Sequence, residues 1–240
     1  MARPRLLLVA EFTELSWAIK PLLEEWADVL SYDPPGVGDE PLPGDARGLT
    51  REVVIERGLE KLDAAGWVRF IVVADGWGIA NAVGIAARRK SAVAAMALGH
   101  AALSSARESE RAPINAEVYD AFTQLIKQDA PSFVRYGIAQ LTKGGVDEEL
   151  AKRIVERIPP EYMRDGWAVL TADDPYAEDL LRLDCPLLLA KHEGCLVSTD
   201  EGFEDAVAAL PRAETAVFDE PPPGSPAFAE TLRGFCQRHW

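Results

Sequence analysis

Five side chains of the types that move protons or attack carbon stand at the ends of apolar runs, or just beyond them. Glu11 follows "RLLLVA", Asp75 follows "FIVVA", His100 follows "AMALG", His192 closes "CPLLLAKH", and Cys195 comes three residues later. A continuous apolar run is what a strand buried on both faces requires. Strand ends on one sheet edge bring Glu11, Asp75, His100 and His192 toward a common face. A carboxylate at a pocket rim has a raised pKa and serves as a general acid or base, and a histidine does so near neutrality. Cys195 offers a thiol, reactive as its thiolate. Each residue also has a plainer reading. Glu11 is then a solvated loop residue or the partner of a helix N-terminus, the histidines are hydrogen-bonded structural residues, and Cys195 is a half-buried structural cysteine.

The elements that must position these groups are set by the hydrophobic pattern. The strands are 5–10, 28–33, 67–74, 92–99, 185–192 and 214–219. Helical spacing covers 16–27, 50–66 (with Thr50 as N-cap), 79–90, 198–211 and 226–240. Strand and helix alternate through short links, the signature of an α/β fold with a mostly parallel sheet. Between 104 and 183 the rhythm changes to helices alone, at 114–128, 131–144, 147–158 and 159–172. The expected organisation is a core of 1–103 and 184–240 and a helical insertion of 104–183.

Composition bounds the function. The 240 residues carry a net charge of −14, which argues against nucleic acid or an anionic membrane as partner, because phosphate-binding surfaces need excess Lys and Arg. No stretch reaches the roughly 18 apolar residues of a membrane span. The first apolar run is too brief for a signal peptide, and Glu11 interrupts the chain directly after it. Cys185, Cys195 and Cys236 are an odd number without metal-ligand spacing, so no metal is expected and a reducing cytoplasm is the expected setting. "PPGVGD" (34–39) lacks the Lys and Ser/Thr of a phosphate loop, and no dinucleotide fingerprint comes after a strand. No cofactor is expected.

The order of parts resembles the α/β-hydrolase superfamily over nearly the whole chain, with the helical insertion where those proteins carry a cap. "LLLVAEFTELSWAIKPLLEEWADVLSYDPPGVGD" is similar to the first strand, oxyanion loop, helix, strand and Asp-x-x-Gly-x-Gly loop. "FIVVADGWGIANAVGIAARR" is similar to the strand, nucleophile elbow and helix, and "LDCPLLLAKHEGCLVSTDEGFEDAVAALPRAETAVFDE" to the segment holding the catalytic acid. The resemblance implies six strands ordered 2-1-3-4-5-6, with ligand bound beyond their carboxyl ends.

Against that pattern the chemistry departs at several positions. The elbow small-x-nucleophile-x-small reads Ala74-Asp75-Gly76-Trp77-Gly78, which puts Gly76 at the nucleophile. Cys195 stands nearest the acid position, with Glu193 there if the register slips. Residues 219–226 hold no histidine, and Ala10-Glu11 replaces the His-Gly pair beside the oxyanion hole. The expectation is a protein without the Ser-His-Asp triad, a pseudoenzyme that binds a small, largely apolar molecule as a sensor or scaffold. Phe12, Gly76, Trp77, His100 and Cys195 would line its pocket, and a protein partner or homodimer is possible. The alternative is a non-hydrolytic enzyme, performing a cyclase, isomerase or lyase-type step of the kind found in secondary metabolism, with Glu11, Asp75 and His192 as its acid/base groups. Residual hydrolysis by a rearranged site is the third reading.

Overall fold

The computed structural model describes residues 2–10, 12–41, 49–103, 116–138, 147–164, 176–195 and 198–240. The apolar runs become six strands: β1 (Arg5–Val9), β2 (Asp28–Tyr32), β3 (Phe70–Asp75), β4 (Val93–Gly99), β5 (Leu187–His192) and β6 (Glu214–Phe218). They pair in parallel in the order β2-β1-β3-β4-β5-β6. That is the expected order.

Strand alternation sends successive side chains to opposite faces. Leu7, Val9, Val72, Ala74, Met96, Leu98 and Leu189 fall in one core. Leu6, Leu8, Ile71, Val73, Ala95, Ala97 and Leu188 fall in the other. The first core is covered by α2 (Arg51–Ala64), α3 (Gly78–Arg88) and the helix Asp200–Ala209; the second is covered by α1 (Lys20–Glu24) and the final helix. Thr50 caps α2, its side chain accepting from the Val53 N–H. In α3 the close approach to the sheet rests on Gly78, where a Cβ would lie 2.8 Å from the Val9 carbonyl oxygen.

The first helix differs from the sequence expectation, and proline explains it. The helix expected over 16–27 is a 3-10 turn at Glu14–Ser16 and then α1. Pro21 sits in the first turn of α1, the one place where its missing N–H costs nothing. Between β4 and β5, α4 (Ala116–Ser132) carries Pro131 and a non-helical Asp129, and runs into a π-turn over Phe133–Ile138. The same connection holds α5 (Glu148–Glu156) and α6 (Tyr176–Leu181). α4, the π-turn and α5 pack in a third cluster with Phe12, Val37 and Leu49. Leu180 and Leu183, at the end of the expected insertion, pack in the sheet core.

Arg157, just after α5, ties this third cluster to the loop after β2. Its guanidinium donates to Asp33 Oδ2 at 2.6 Å, and its carbonyl accepts from the Gly38 N–H at 2.8 Å. The chain continues through α7 (Asp200–Ala209) and ends in α8 (Pro226–His239), with Phe228, Leu232, Phe235 and Cys236 inward. Among the described residues no helix is long and apolar enough to cross a membrane.

Candidate functional site

Three neighbouring strands stop at one sheet edge. β3 ends at Asp75, β4 at Gly99 and β5 at His192, and the register sets Asp75 beside Gly99 and Gly99 beside Ala190. The next residue, His100, has φ +58. A side chain in that left-handed conformation costs about 1–2 kcal/mol, so its surroundings must hold it there. Its backbone N–H donates to the Ala190 carbonyl at 2.7 Å. Its ring is buried between Asp75 and His192, with Nδ1 at 2.9 Å from Asp75 Oδ1 and Nε2 at 2.6 Å from His192 Nδ1. The two imidazole planes stand at 85°. Gly99 makes the arrangement possible, because a Cβ there would lie 2.0 Å from Asp75 Oδ1.

The partners dictate where the protons of these three residues sit. The carboxylate only accepts, so His100 Nδ1 carries a hydrogen. A single proton then lies between Nε2 and His192 Nδ1. Burial disfavours charge on His100, but the Asp75 charge and hydrogen bond, with Cys195 beside it, raise its pKa above the ordinary histidine value. Burial and the neighbouring His100 lower that of His192. The His192 backbone N–H donates to the same Nε2 at 3.2 Å, a contact that the neutral ring accepts.

Gly194, at φ +74, turns the chain after β5 and leaves Cys195 half-buried next to the histidine pair. One ring nitrogen from each histidine and Cys195 Sγ lie within 4.8 Å of one another. The sequence shows no ligand spacing and predicts no metal. This set is assembled across two strand ends, where no local motif records it. The other thiols are inert by comparison, burial pushing Cys185 up to about 11 and Cys236 to about 12.

The elbow itself is intact as a turn. Gly76 has φ +50, and its N–H donates to the Gly99 carbonyl at 3.0 Å. Two expected pocket residues meet each other. Phe12 is buried and meets Trp77 edge-on, ring centroids 5.5 Å apart, and Trp77 packs with it against the α4 and α5 cluster. The segment after β6, where the resemblance looks for a histidine, brings Pro222 within 3.1 Å of where a Gly99 Cβ would stand. His239 lies away from this edge, 3.0 Å from Glu214. Glu11 lies outside the described residues. The structure thus brings together Asp75, His100, His192 and Cys195. The Asp75–His100 contact had one signal in the sequence, since each residue ends or follows a strand, but it needed β3 and β4 to be neighbours.

No family model matches the sequence, and no curated protein is significantly similar to it. Solved structures match over almost its whole length. A hydrolase from Oleispira antarctica is 13% identical with a TM-score of 0.80, over 99% of this chain and 92% of that one. A bromoperoxidase from Bacillus anthracis is 16% identical with a TM-score of 0.79, again over 99% and 92%. An esterase from Thermogutta terrifontis is 20% identical with a TM-score of 0.75, over 100% and 92%. The strand order, the glycine elbow and these matches together establish that the chain has the α/β-hydrolase fold.

Proposed function

We propose that the protein is a non-hydrolytic acid–base catalyst, acting on a small, largely apolar molecule held beyond the carboxyl ends of β3, β4 and β5. The observation that carries this reading is the continuous Asp75–His100–His192 chain, with links of 2.9 and 2.6 Å. Asp75 fixes the orientation and tautomer of His100, and His100 does the same for His192. His192 Nε2 has no hydrogen-bond partner among the described residues, so it is the atom that meets substrate. Hydrolysis through a covalent intermediate has no support at the elbow, because Gly76 carries no nucleophile. The reaction class is proton transfer at carbon, as in an isomerisation, elimination or cyclisation. The unpaired thiols fit a reducing cytoplasm.

The test is deuterium incorporation from D2O into a panel of small ketones and β-keto esters, with chelator present. Wild type exchanges them above buffer, and His192→Gln loses about 100-fold or more, the usual scale for a general base. Equal rates for both proteins overturn the reading. A second reading is binding without chemistry at the same strand ends. It gains if panel members raise the melting temperature of the protein and none is exchanged.

A further inference from the structure

We infer that His100, His192 and Cys195 form a binding site for a zinc-class divalent cation, with Asp75 as the residue that orients the first ligand. The inference stands beside the acid–base reading and does not rest on it. The same atoms that share a proton can share a metal ion.

Donor chemistry selects the ion. Two imidazole nitrogens and one thiolate sulfur suit Zn2+ and its borderline-soft neighbours, whereas Mg2+ and Ca2+ want oxygen. Around a tetrahedral ion with bonds of about 2.0–2.3 Å, ligand atoms stand roughly 3.3–3.8 Å apart. The His100–His192 nitrogens, at 2.6 Å, open by about 1 Å to reach that spacing, and the widest pair, no more than 4.8 Å apart, closes by a similar amount.

The surroundings of His100 independently point to a ligand. Metal-bound histidines almost always donate their other ring N–H to a carboxylate or carbonyl, which fixes the tautomer and raises ligand basicity. His100 does this toward Asp75 at 2.9 Å, leaving Nε2 as its donor atom. The ring is held at φ +58, a strained placement for a residue with only a packing role. Gly194 at φ +74 turns the chain so that Cys195 returns to the pair. On binding, the proton between the rings and the Cys195 thiol proton leave to solvent. Three protein ligands leave a fourth position for water or substrate, the pattern of catalytic rather than structural zinc. A carbonyl substrate at that position would be polarised directly.

The test uses the full chain, stripped with chelator and dialysed against ZnCl2, then titrated with Co2+ as a spectroscopic probe. The expected result is one ion per chain, a thiolate-to-cobalt charge-transfer band in the near ultraviolet, and visible bands of tetrahedral intensity. Cys195→Ser abolishes the charge-transfer band, and Cys185→Ser leaves it unchanged. His192→Gln weakens binding at least 100-fold, and Asp75→Asn about 10–100-fold. Circular dichroism of each variant separates lost ligation from lost folding. Because Cys195 is half-buried on a turn, its serine variant is the decisive one. A stoichiometry far below one, or a Cys195→Ser protein with wild-type binding and spectrum, overturns the inference. The deuterium exchange is run in chelator and the metal titration without substrate, so either reading can fail alone.

Discussion

His100 Nδ1 lies 2.9 Å from Asp75 Oδ1, across the ends of two adjacent parallel strands. The contact exists because the residue between them in space, Gly99, has no side chain. A Cβ at Gly99 would stand 2.0 Å from the carboxylate oxygen. Gly99→Ala is therefore expected to push Asp75 off His100 without changing any titratable residue of the sequence. Overpacking of this kind costs about 1–3 kcal/mol. Denaturant unfolding measures that cost, and the nitrogen chemical shifts of His100 report whether its tautomer is still fixed. Unchanged shifts would show that Asp75 does not orient the ring.

His100 holds its position at the expense of backbone strain. At φ +58 an alanine is strained and a glycine is not. Both His100→Gly and His100→Ala lose the links to Asp75 and His192. The glycine variant should nonetheless be more stable than the alanine variant by about 1 kcal/mol. Paired urea titrations check this, and equal midpoints would mean that the left-handed conformation is not retained.

The sheet was legible in the sequence because strands buried on both faces need continuous apolar runs, and "LLLV", "FIVVA" and "AMALG" provide them. The helices were less legible where Pro21 resets the backbone. The site divides the same way. Asp75, His100 and His192 could be placed at strand ends from hydrophobic pattern alone. That they form one hydrogen-bonded chain depends on the order of β3, β4 and β5, on the left-handed turn at His100, and on the absence of a side chain at Gly99. Those are tertiary facts with no local spacing. The joining of Cys195 to the two histidines depends likewise on the turn at Gly194. Trp77 was expected to face a pocket, and its packing partners come from α4 and α5, distant in the chain.

The acid limb of stability has a definable contributor at Glu40. Burial works against its charge, but hydrogen bonds from Lys61 and Arg57 hold its pKa below the usual carboxylate value. Lys61 Nζ is 2.8 Å from Oε1 and Arg57 Nε 2.8 Å from Oε2. A carboxylate with a lowered folded-state pKa adds stability that is present above its unfolded value, about 4.3, and lost as pH falls through the folded value. Glu40→Gln should thus be less stable than wild type by about 1 kcal/mol at pH 7. The gap should narrow below the unfolded value. A gap that stays constant down the acid limb would assign the effect to packing rather than charge.

Restoring a hydroxyl at the elbow should not restore a hydrolase. Gly76→Ser puts a side chain at φ +50, at a strain cost of about 1–2 kcal/mol. A serine becomes nucleophilic only with an imidazole within about 2.6–3.2 Å to take its proton. His100 spends Nδ1 on Asp75 and Nε2 on His192, and the segment after β6 offers Pro222 in place of a histidine. The expected outcome is that G76S remains unlabelled by a fluorophosphonate probe and hydrolyses p-nitrophenyl esters no faster than wild type. Stoichiometric labelling that disappears when His192→Gln is added would show that the histidine pair can serve the elbow, and the proton chain would then have to be assigned to hydrolysis instead.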